Sequence, residues 1–125
     1  MINRINFCGV PVDSVDPESA FAAIEDFLKD GKRHQIVLLT TDKLLKARMN
    51  KDFFRCLGES SLVLPVSRGI INGARFQQKS TLHRYNPYEF IIKLFMTVER
   101  MNKTVYILGS RKEDLMETER NLKVS

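Results

Sequence analysis

Ser60–Phe76 reads SSLVLPVSRGIINGARF, and its reading decides the fold. No polar residue interrupts Leu62-Val63-Leu64-Pro65, which predicts a short strand buried on both faces. Pro65 has no amide hydrogen and tends to end such a strand. Ser67 can cap the helix that follows, which opens with Arg68-Gly69 and the apolar pair Ile70-Ile71. Strand, tight turn and helix N-terminus is where an α/β protein usually binds a ligand, because free N–H groups point out of the helix. Gly69 and Gly73 give that helix one flat face, so backbone or ligand can approach closely. The competing reading is a plain βα joint with a solvated arginine.

Upstream, Ile2 to Val12 alternates enough to be a strand or a hairpin around Gly9-Val10-Pro11. Asp16-Pro17-Glu18 starts a helix carrying Ala20, Phe21, Ile24, Phe27 and Leu28 at helical spacing, with Gly31 as the stop. Gln35–Thr40 (QIVLLT) predicts a second buried strand. It leads into a helix with Leu44, Leu45 and Ala47, which Thr41 or Asp42 can cap, and then a short helix with Phe53, Phe54 and Leu57. Downstream, Gln77–Tyr85 (QQKSTLHRY) is the longest polar segment and predicts a mobile loop. Asn86-Pro87-Tyr88-Glu89 opens the longest helix, with Asn86 as cap, Glu89 closing it, and an apolar stripe from Phe90 to Met101. Thr104–Leu108 (TVYIL) predicts a third buried strand, and Ser110 with Glu113 a capping box for the last helix.

Short apolar strands alternating with helices predict an α/β fold: a Rossmann-like parallel sheet flanked by helices, in a single domain over residues 1–125. The chain stops after a helix where such a unit should return to another strand, so the pattern is that of the N-terminal part of a larger fold. Of its 125 residues, 43% are hydrophobic, with four prolines and six glycines, which argues for a globular protein. Cys8 and Cys56 make no metal spacing with His34 or His83, and read as reduced, buried thiols of a cytosolic protein. No metal site and no cofactor is expected. No apolar run is long enough to span a bilayer. The formal charge of +5 leans towards an anionic partner, but it alone supports nucleic-acid binding, and no nucleic-acid motif accompanies it.

Three predicted strand ends share one edge of a parallel sheet: Thr40-Thr41-Asp42, Val66-Ser67-Arg68-Gly69 and Gly109-Ser110-Arg111. Two arginines and two capped helix N-termini there suit a diphosphate, which needs N–H donors and fixed positive charge. Neither GxGxxG nor GxxxxGK[ST] occurs, so the specific argument for a dinucleotide fingerprint or a P-loop NTPase is missing. Each candidate also has a local explanation. Thr40, Asp42, Ser110 and Arg111 can serve helix ends, and Arg68 can be a solvated arginine.

At these residues the chain resembles the WecG/TagA/CpsF glycosyltransferases. IVLLTTDKLLKARMNKDFFRCLGESSLVLPVSRGIINGARF is similar to that family's TxNxxHxxxA segment followed by ADLVLPDGxGxxxxAR. HRYNPYEFIIKLF resembles its RVxGxDLxxxL block, and TVYILGSRKEDLMETERNL its VFLLGGxxxxxxxAxxxL block. The resemblance implies an inverting transfer of an N-acetylmannosamine-type sugar. The donor is a UDP-sugar and the acceptor polyprenyl-diphosphate-linked, in cell-surface polysaccharide synthesis. It also implies a cytoplasmic protein, peripheral on the inner face of the membrane, longer than this chain, and leaves a homo-oligomer open. The substrate-binding positions it points to are Thr40, Asp42, Ser67, Arg68, Gly69, Arg84, Ser110 and Arg111.

The departures from the pattern fall on ligand-facing positions. Val66 stands where the family has its proposed catalytic aspartate, Ser67 where it has the next glycine, and Gly69 keeps the second glycine. Leu38 and Thr40 replace the threonine and asparagine of the first block. In the third block Arg84 is kept, Pro87 replaces glycine, and Glu89 replaces aspartate. Valine cannot accept a proton, so the base is unassigned, with Glu89 a candidate of the right chemical type, and little or no turnover is expected. The alternative is a catalytically degenerate homologue acting as a binding or assembly protein.

Overall fold

The computed structural model of this mixed α/β protein describes residues 2–78, 82–109 and 111–124, and among these described residues there are two sheets and six helices. It divides into two compact units, Met1–Leu94 and Phe95–Ser125.

In the first unit, β1 (Asn3–Phe7) and β2 (Val10–Ser14) form an antiparallel hairpin. The turn falls on Cys8-Gly9, one residue earlier than the glycine–proline reading. Both residues have positive φ, 52° and 82°, the hand that matches the strands' twist. α1 (Pro17–Lys29) starts as expected, Asp16 accepting from Ser19 N–H, and is followed by Gly31 with φ 71°. β3 (Ile36–Leu39) and β4 (Leu62–Pro65) pair in parallel, Ile36 beside Leu62 and Leu39 beside Pro65. Between them run α2 (Thr41–Met49), capped by Thr40 rather than by Thr41 or Asp42, and α3 (Lys51–Glu59), capped by Asn50. α4 (Arg68–Gln78) follows β4, and α5 (Pro87–Arg100) begins after Asn86 accepts from Tyr88 and Glu89 N–H.

Side chains of the parallel pair alternate between two cores, as the pleat requires. Val63, Val37 and Leu39 face a cluster with the hairpin residues Phe7, Val10 and Val12, Leu44 and Ala47 of α2, Leu57 of α3, and Ile70, Ile71 and Ala74 of α4. Leu62, Leu64, Ile36 and Leu38 face Ala20 and Ile24 of α1, with Tyr85 and Phe90. β4 is thus buried on both faces, as its unbroken apolar run predicts.

Three expectations are corrected. Helix α4 continues through Gln78, and Leu82 and Tyr85 are buried, Tyr85 N–H donating to Pro65 O at 2.9 Å. The segment read as a mobile polar loop is therefore partly helix and partly anchored to the end of β4. Cys56 is exposed and Cys8 half-buried, because Cys56 lies on the solvent side of α3. Thr104–Leu108 is not a strand. In the second unit it lies between the end of α5 and α6 (Lys112–Val124), with Val105, Tyr106 and Leu108 exposed at 43%, 86% and 84%. A β-branched and aromatic run becomes a strand only where a neighbour supplies ladder partners, and among the described residues none pairs with it. Among the described residues the parallel sheet has two strands, β3 and β4.

Candidate functional site

The carboxyl ends of β3 and β4 lie side by side, and α2 and α4 start from them. Thr40 Oγ1 accepts from Lys43 N–H at 3.2 Å, so its hydroxyl oxygen serves the helix cap. Ser67 does not spend its hydroxyl on the helix that it precedes. Its Oγ accepts from Thr41 N–H at 3.1 Å, stitching the two strand ends together. Gly69 makes that approach possible, since a Cβ there would lie 3.3 Å from Thr41 Oγ1. The other half of the predicted flat face is filled by protein. A Cβ on Gly73 would lie 2.7 Å from Phe7 Cζ.

With Thr41 and Lys43 N–H so engaged, the N–H groups of Asp42, Arg68 and Gly69 have no protein acceptor among the described residues. They are the orphan donors of two helix N-termini at one sheet edge, the ordinary means of holding an anion. The Arg68 side chain is exposed beside them, and so is the Asp42 carboxylate.

Val66 is sealed into this edge. Its N–H donates to Leu39 O and its carbonyl accepts from Arg84 Nε, both at 3.0 Å, while its side chain, 5% exposed, packs with Leu62, Leu64, Tyr85 and Phe90. Arg84 therefore reaches the strand end, where its Nε is committed to backbone. Arg84 also lines a cavity of about 590 Å³ between the first turns of α1 and α5, with Phe21, Tyr85, Glu89, Phe90 and Lys93 on its wall. Arg111, just before α6, pairs with Asp114 of that helix at 3.2 Å. Ser110 lies outside the described residues, so its predicted capping role and ligand contact are not placed.

Sequence reasoning missed two groups that shape the site. Asp13, 1% exposed, accepts from Arg4 through both carboxylate oxygens, at 2.8 and 2.9 Å, and from Val63 N–H at 2.7 Å. Arg4 in turn donates to the carbonyls of Gly58 and Ser60, clamping hairpin, α3 and β4. Placing the hairpin turn at Cys8-Gly9 sets Arg4 directly opposite Asp13, so the pair was there to find. Tyr85 donates its hydroxyl to Val15 O, and burial, followed by the charges of Asp16 and Asp13, pushes its pKa up to about 12. No helix among the described residues is long and apolar enough to cross a membrane.

An α/β chain with helix N-termini opening on the carboxyl edge of a parallel pair has the edge at which α/β proteins commonly bind ligands. The model of the glycosyl transferase WecG/TagA/CpsF family matches residues 5–125, and the chain belongs to that family. No curated protein matches it.

Proposed function

We propose that this glycosyl transferase family member binds a UDP-sugar at the β3/β4 edge and transfers an N-acetylmannosamine-type sugar from it. The acceptor is a polyprenyl-diphosphate-linked lipid, at the inner face of the cell membrane, in cell-surface polysaccharide synthesis. The observation that carries the donor half is that the N–H groups of Asp42, Arg68 and Gly69 have no acceptor among the described residues, at two helix starts of which one carries the exposed Arg68. A diphosphate satisfies such donors and gains a charge-assisted contact. The sugar and the lipid rest on the family's resemblance alone.

Donor binding raises the melting temperature by mass action on the folded state. UDP at millimolar concentration is expected to raise Tm, and Arg68→Ala to weaken binding by about 1.5–3 kcal/mol, the worth of a hydrogen bond to a charged group. A folded chain whose Tm ignores UDP would overturn this reading. A second reading, a binding or assembly protein without turnover, is favoured by the apolar burial of Val66, which leaves no proton acceptor at that position. Tm that rises with UDP, with no sugar transferred to a short-chain lipid-diphosphate acceptor, would select it.

A further inference from the structure

We infer that Glu89 is the proton acceptor for glycosyl transfer, and that the cavity it lines receives the hydroxyl-bearing end of the acceptor. The inference rests on the transfer reading above. Attack by a hydroxyl on an anomeric carbon needs a group to take the proton, and a carboxylate at hydrogen-bonding reach is the usual choice. The carboxylates near the β3/β4 edge can be sorted by what already holds them. Asp13 is enclosed by Arg4 and Val63. Asp16 caps α1 through Ser19 N–H, which, with the Ser19 side chain, holds its pKa below the usual range. Asp42 is exposed at the start of α2 and does not line the 590 Å³ cavity.

Glu89 is different. It is the one carboxylate on the wall of the 590 Å³ cavity, and its side chain has no hydrogen bond or ion pair among the described residues. Its position is held from both sides. Asn86 fixes the first turn of α5 by accepting from Glu89 N–H at 3.3 Å, and Arg84, on the same wall, is bonded to Val66 O at the end of β4. One wall residue, Arg84, thus ties the cavity to Val66 at the carboxyl end of β4, the residue before Ser67 and the start of α4. Its other walls suit a sugar carrying phosphate: Lys93 lies over the half-buried Phe21 ring, and Arg84 and Lys93 supply positive charge.

In the step, the acceptor oxygen forms a bond to the anomeric carbon of the donor sugar. The bond from that carbon to the diphosphate oxygen breaks, and its electron pair leaves with UDP. The acceptor's proton passes to the Glu89 carboxylate.

The test uses the full chain, UDP-N-acetylmannosamine and a short-chain lipid-diphosphate acceptor. The unmodified chain is expected to turn over. Glu89→Gln should lower kcat by about 10²–10⁴-fold, the usual worth of a general base, while keeping Tm and its rise with UDP. Glu89→Asp, which keeps the carboxylate, should retain more activity than Glu89→Gln. Turnover by Glu89→Gln at the unmodified rate would overturn the inference, and so would no turnover by an unmodified chain whose Tm rises with UDP. Failure of UDP to raise Tm at all marks failure of the donor reading instead.

Discussion

Asp13 shows how one side chain can join separate strands. Its carboxylate binds Arg4 on the neighbouring strand and Val63 N–H on β4. Asp13→Ala leaves that buried N–H unpaired, which costs about 1–3 kcal/mol before the loss of the Arg4 contacts is counted. A fall in the urea midpoint with unchanged slope is the expected reading. Tyr85 gives a pH-dependent counterpart. Its folded pKa lies above the unfolded value of 10.0, so its contribution is fully present below pH 10 and is lost as pH rises towards about 12. Tyr85→Phe, which loses the bond to Val15 O, should be less stable at neutral pH by about 1 kcal/mol. Denaturation midpoints of the two proteins should converge between pH 10 and 12. Parallel curves across that range would show that Tyr85 does not hold its proton more tightly when folded.

Elements meet closely where glycine removes a side chain. The ring of Phe7 lies against Gly73 of α4, inside the cluster that also holds Val10, Ile70 and Ala74. Gly73→Ala places a methyl 2.7 Å from Phe7 Cζ, a contact that forces the buried ring to move. Overpacking costs about 1–3 kcal/mol, against a gain of about 1 kcal/mol in helix propensity. Gly73→Ala should therefore destabilise the unmodified protein yet stabilise a Phe7→Leu background, where the ring tip is gone. A double-mutant cycle on denaturation midpoints checks the change of sign, and additive effects would refute it.

Across the molecule, stability should follow burial. β4 is covered on both faces, whereas Thr104–Leu108 has exposed side chains and no ladder partner among the described residues. Amide hydrogen exchange should be slow at Leu62–Leu64 and fast at Val105–Leu108. Equal protection of the two segments would contradict the exposure of the second. Both segments read alike as sequence, short apolar runs before a helix, and only one became a strand. Local sequence is enough for the α/β class, the helix starts at Asp16 and Asn86, the two-faced burial of β4, and the presence of Arg68 at a helix N-terminus. Those features depend on local propensity, capping and period, which neighbouring residues settle among themselves. Tertiary structure alone decided that Ser67 binds Thr41 instead of capping, that Arg84 holds Val66 O, and that Glu89 shares a cavity with Phe21. It also decided that TVYIL forms no strand among the described residues. Each of these depends on a partner distant in sequence, and a strand or hydrogen bond exists only where folding brings that partner within reach.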